Sequence, residues 1–154
     1  MSLRGYWLNQ VGGLMIGIKL WGDTELTKAE YAALFDFAPE HRAQALPVLR
    51  KMPEYEAARE AHMLAVVEEV SASDEADKAR AEYEAFKVAH NAAAQLDPNA
   101  PEAPKVELAA AKALANEAEA KYQAAAEAQK AAKAKLDELA AVVEQMPPTR
   151  GLAA

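Results

Sequence analysis

The sequence predicts a mainly α-helical protein, a long antiparallel two-helix alanine-rich coiled-coil hairpin on a small N-terminal base containing a β-hairpin and short helices. Three observations point there. A seven-residue apolar repeat runs from Glu54 to Met146 with one proline-rich interruption. Alanine supplies 39 of the 154 residues, most of them inside that repeat. Ahead of it the pattern differs, with alternating apolar residues and then fragments between prolines.

The base is assigned to residues 1–53. Tyr6 to Val11 and Leu14 to Trp21 read as two strands joined by the turn pair Gly12-Gly13, a β-hairpin over 6–21. Leu14, Ile16, Ile18 and Leu20 share one face of the second strand, while Met15, Gly17, Lys19 and Trp21 share the other. Two strands alone are marginal in water, so this hairpin must pair with the next segment or with another chain. The next segment reads as short helices over 28–52. Thr27 and Glu30 have the spacing of a capping box, and Tyr31, Leu34 and Phe35 come after them at helical intervals. Pro39 is expected to end that helix, and Pro47 and Pro53 to cut the remainder of the base into pieces packed through Leu46, Val48, Leu49 and Met52.

The repeat occupies 54–146. With Tyr55 at an a position, the a series is Tyr55, His62, Glu69, Ala76, Tyr83 and His90, and the d series is Ala58, Ala65, Ala72, Ala79, Phe86 and Ala93. The phase survives Ser71-Ala72-Ser73, so one helix is expected over 54–96. In the second helix, 105–146, the a series is Leu108, Ala115, Tyr122, Gln129, Leu136 and Val143, and the d series is Ala111, Ala118, Ala125, Ala132, Leu139 and Met146. Pro98, Pro101 and Pro104 make 97–104 a turn, and Pro147-Pro148 make 147–154 an extended tail. If the chain folds back near residue 100, facing residues sum to about 201 and large side chains meet small ones, Tyr83 on Ala118 and Leu136 on Ala65 among them. Tyr55, Val66, Val67, Val70, Leu139, Val142 and Val143 crowd one end of the hairpin, where the base is expected to cover them.

Composition narrows the function. Apolar residues make up 52% of the chain but aromatic ones only 6%, so no large core is expected. With no Cys there is no thiolate metal site, disulfide or cysteine nucleophile. Residues 1–53 carry six basic and five acidic side chains, residues 54–154 eleven and nineteen. An acidic helical segment repels a phosphate backbone, so nucleic acid is not an expected partner. Tyr6 to Gly22 is too short and polar to span a bilayer, and no membrane partner is expected either. His62 and His90 lie roughly 42 Å apart along a helix and cannot share a metal, and the glycines lack the lysine and strand-to-helix setting of a phosphate loop. Acidic neighbours such as Glu68-Glu69 read as a solvated face. No residue is therefore given a catalytic, cofactor-binding or metal-ligating role, no cofactor is expected, and the chain is not read as an enzyme.

What remains is a structural or assembly subunit of a larger oligomeric particle, a bacteriophage virion among the candidates, located in the cytoplasm or in a virus particle. It would bind protein partners or copies of itself through Tyr6, Trp7, Leu14, Ile16, Ile18 and Trp21 of the base, with the helical hairpin as spacer, clamp or spike. The other class is a coiled-coil chaperone or adaptor holding a client. Jaw-like chaperones carry a β-hairpin between their helices, whereas here it precedes both.

Overall fold

A computed structural model describes residues 5–96 and 103–150, leaving most of the expected 97–104 turn and the last four residues of the tail outside the described residues. The protein is mainly helical. In order come β1 (Gly5–Leu8), β2 (Leu14–Gly17), β3 (Thr24–Leu26), α1 (Lys28–Leu34), α2 (Pro39–Leu96) and α3 (Ala103–Val143). Contacts divide the chain into one unit of Met1–Ala58 with Leu136–Ala154 and a second of Arg59–Lys135.

In the first unit the three strands form an antiparallel sheet in the order β2-β1-β3. The hairpin's missing partner is thus the next segment of its own chain: β3 pairs Tyr6 with Leu26 and Leu8 with Thr24. The β1–β2 loop is longer than the expected Gly12-Gly13 pair. Gly12 N–H donates to Asn9 O at 3.2 Å, Asn9 N–H donates to Gly13 O at 2.9 Å, and Gly12 has φ 87°. That is a tight turn followed by a left-handed residue, the three-residue hairpin loop with a bulge. The Asn9 side chain fixes it by accepting from Val11 N–H and Gly13 N–H.

The sheet packs one face on the helices. Leu8, Leu26, Leu34, Phe37, Ala45 and Leu46 are buried together, with Tyr6, Leu14, Tyr31, Leu49 and Met146 against them. Burying each Leu or Phe contributes about 1.5–3 kcal/mol. The capping box at α1 forms as the spacing predicts: Thr27 Oγ1 accepts from Glu30 N–H, and Glu30 Oε1 accepts from Thr27 N–H. Glu30 also pairs with Arg50 at 2.8 Å. Partial burial raises the Glu30 pKa, but the hydrogen bonds from Arg50 and Thr27 and the Arg50 charge outweigh this and hold it below 4.5.

The prolines act differently from expectation. Pro39 opens α2, a position where its missing N–H costs nothing, and Pro47 and Pro53 lie inside the helix without ending it. Each removes one backbone bond, to Ala43 O and Leu49 O by helical geometry, and a proline inside a helix costs about 3 kcal/mol. Both prolines are exposed, while Ala45, Leu46 and Val48 around Pro47 are buried. Packing on the sheet offsets the lost bonds, and the short pieces expected over 28–52 become α1 plus the first turns of α2.

The second unit contains the facing stretches of α2 and α3, and the repeat describes it well. Along α2, His62, Ala65, Glu69, Ala72, Ala76, Ala79 and Tyr83 are buried or half-buried, and along α3 so are Ala111, Ala115, Ala118, Tyr122, Ala125, Gln129 and Ala132. Cross-helix contacts confirm the antiparallel sense: Arg80 Nη2 meets Glu119 Oε2 at 2.9 Å and His62 Nε2 meets Gln129 Nε2 at 3.2 Å. These pairs sum to 199 and 191 rather than about 201; the two differ because long side chains reach along the helices, and both lie below the expected value, so the register is slipped toward a lower sum. Val67 and Val70, expected beneath the base, are exposed.

Three outcomes test this description. A Cβ at Gly12 would stand 1.9 Å from Pro39 O, on a residue with positive φ, so Gly12→Ala should destabilise the protein by about 3 kcal/mol in denaturant unfolding. Glu30→Gln keeps the cap but removes the charge. Because the folded pKa lies below the unfolded one, the charge stabilises above about pH 4.5 and that share is lost as pH falls through the folded value. The variant should therefore be about 0.5–1 kcal/mol less stable than the parent at pH 7, with the gap closing below pH 4.5. In the second unit, Glu119→Arg should cost about 0.5–1 kcal/mol, and adding Arg80→Glu should restore most of it. No restoration would refute the slipped register.

Candidate interaction surface

The six residues singled out in the base divide into two sets. Tyr6, Trp7 and Leu14 are structural. Tyr6 and Leu14 pack on the core, and the Tyr6 ring lies 4.9 Å from that of Tyr31. Trp7 is only 8% exposed: its indole lies against Gly5, which pairs with Gly17 across the strands, and its Nε1–H donates to Gly17 O at 2.9 Å. Gly5 leaves the space that this indole fills, since a Cβ there would stand 3.3 Å from the ring, and Lys19 Nζ lies 5.8 Å from the ring centre.

Ile16, Ile18 and Trp21 are exposed. Ile16 pairs with Tyr6 and so shares the core-facing side of the sheet, but β2 is an edge strand and nothing among the described residues covers it there. Beyond Gly17, where φ is 140° and the strand ends, Ile18 and Leu20 continue the exposed apolar run.

Trp21 is 94% exposed, and the reason is local. It sits at the corner of a turn closed twice, by Asp23 N–H on Leu20 O at 3.2 Å and by Leu20 N–H on Asp23 Oδ2 at 3.0 Å. Gly22, with φ 83°, supplies the residue such a turn requires after its corner. The closed turn places the indole at the surface. Beside it Asn9, Gln10, Val11, Met15, Leu20, Trp21 and Asp23 line an open groove of about 280 Å³.

Val11 and Leu20 are exposed members of this surface that the apolar pattern did not single out as contacts. Their signal was present: both are large apolar residues at the ends of strands that stop sooner than the apolar runs do. The surface offers apolar area and the unpaired backbone groups of a strand edge. Among the described residues no group of three or more His, Asp or Glu side chains could hold a metal ion, and no helix is long and apolar enough to cross a membrane.

The fold is thus that of an alanine-rich antiparallel helix pair preceded by a three-stranded sheet. No family model, curated protein or solved structure matches the chain.

Proposed function

We propose that the protein is a non-enzymatic assembly subunit that joins protein partners, copies of itself included, through the edge of β2 and the Trp21 turn. In its finer form the reading is of a component of a larger particle such as a virion, with the helix pair serving as spacer, clamp or spike. The observation that carries it is Trp21, a large apolar side chain held outward on a closed turn beside an unpaired strand edge. Strand addition supplies main-chain hydrogen bonds and register, but four residues of edge give few of them. A buried aromatic anchor is the usual source of the remaining affinity, and Ile16, Ile18, Val11 and Leu20 provide the apolar surround that keeps water from it. Exposed edges of this kind are otherwise blunted by charge, and here Lys19 is the sole charged side chain between Val11 and Gly22.

Light scattering after size exclusion is the test. The unaltered protein should form an oligomer of defined size, and Ile18→Ser with Trp21→Ser should shift it to monomer while changing unfolding free energy by less than about 0.5 kcal/mol each. Trp7 is no probe of the interface, because its removal should unfold the sheet. A monodisperse monomer at high concentration would count against self-assembly.

A further inference from the structure

The second unit carries an apolar surface that its own helix pair does not use. Met63, Leu64, Val67 and Val70 are 57–65% exposed. Their spacing of one, four and seven residues from Met63 puts them on one face, away from the seam that His62, Ala65, Glu69 and Ala72 form. Nowhere else among the described residues of this unit do four large exposed apolar side chains fall within two helical turns.

The surrounding charges say what could cover it. Glu60 and Asp74 lie seven residues to either side of Val67, in line with it along the helix, and Glu68 stands on one flank. None of the three is in an ion pair among the described residues, and the basic side chains of α2 nearest the stripe are Arg59 on the other flank and Lys78 one turn beyond Asp74. A second copy fits poorly. Antiparallel docking about Val67 lays Glu60 on the copy's Asp74, and parallel docking lays each carboxylate on its own counterpart, so both arrangements oppose like charges. An anionic lipid surface meets the same repulsion.

We propose that this stripe docks an amphipathic helix of a different protein, one whose apolar face spans about two turns and is bounded at both ends by Lys or Arg about 21 Å apart. Apolar contact supplies the attraction, and the carboxylates choose the partner and its placement along the helix. This goes beyond the proposed function and does not rest on it, because the stripe lies outside the base.

The experiment uses the full chain and fluorescence anisotropy with three labelled helical peptides of about 18 residues. One has a two-turn leucine face with lysines fourteen residues apart, one replaces those lysines with glutamates, and one keeps the lysines but replaces the leucines with serines. The lysine–leucine peptide should bind, each of the others roughly tenfold more weakly or worse. Leu64→Ser with Val67→Ser should abolish binding without loss of helicity, Glu60→Lys with Asp74→Lys should switch preference to the glutamate peptide, and Trp21→Ser should bind as the parent does. Equal binding of all three peptides, retained binding of the serine peptide, or an unswitched preference would overturn the proposal. So would self-association of the Trp21→Ser protein that Leu64→Ser with Val67→Ser removes, since a second copy would then be the occupant.

Discussion

The Arg42 guanidinium organises the first unit. Its side chain is buried, with Nε donating to Leu34 O and Nη1 to Gly12 O, each at 2.9 Å. One rigid fork thus joins the end of α1, the β1–β2 loop and the opening of α2. Burial lowers its pKa, and the Arg150 charge lowers it further, with Glu40 and Tyr31 opposing. Among the described residues no carboxylate bonds it; carbonyl oxygens carry the compensation for desolvation, and the Phe35 ring 5.9 Å away covers part of the cation. Only with the loop held there can Gly12 lie against Pro39 O, a contact too close for any side chain. The tail returns to the same corner: Arg150 N–H donates to Asp36 O at 2.7 Å and Arg150 Nε donates to Phe37 O at 3.1 Å. Residues far apart in sequence therefore meet where α1 passes into α2.

The second unit obeys a looser constraint. Alanine has the highest helix propensity, so each helix forms readily, but a methyl group buries little area and one alanine opposite another resembles the next pair along. An alanine seam thus specifies that two helices pack, and specifies poorly where. Matching large residues to small ones left several registers nearly equivalent, which is why the pairing inferred from Tyr83 and Ala118 is displaced. The polar cross-links break the tie. Arg80 with Glu119 and His62 with Gln129 are polar contacts across the helix pair, of a kind that facing alanines do not supply.

Legibility in the sequence followed this division. The heptad phase, the capping box at Thr27 and the packing of Leu46 and Val48 could all be read, since each depends on spacing within one element. The strand at Thr24–Leu26 could not, because three residues hold no periodicity and its existence depends on pairing with β1. Pro47 and Pro53 misled for a similar reason: a local rule says break, yet α2 runs through both, with Leu46 and Val48 buried on either side of Pro47. Among the candidate contacts, Trp7 and Trp21 look alike in sequence and have opposite environments. Trp7 meets Gly17 through a strand pairing, whereas Trp21 occupies a turn corner, and hydrophobicity alone distinguishes neither.

Alanine also bears on what the exposed large residues signify. A surface of methyl groups and charges is weakly adhesive, so most of the outer face of the helix pair has little tendency to bind anything. Against it, Met63 to Val70 and the Ile16 to Trp21 segment stand out as concentrations of area that folding leaves unused. Their settings differ in a way that matters physically. The sheet edge adds unpaired backbone groups, which accept a strand with few demands on its sequence, so on the proposed reading selectivity there comes from the fit of Trp21. The helix stripe has no backbone to offer and is framed by carboxylates, which reject like-charged surfaces before contact. Under the two proposals, one surface serves for joining and the other for choosing.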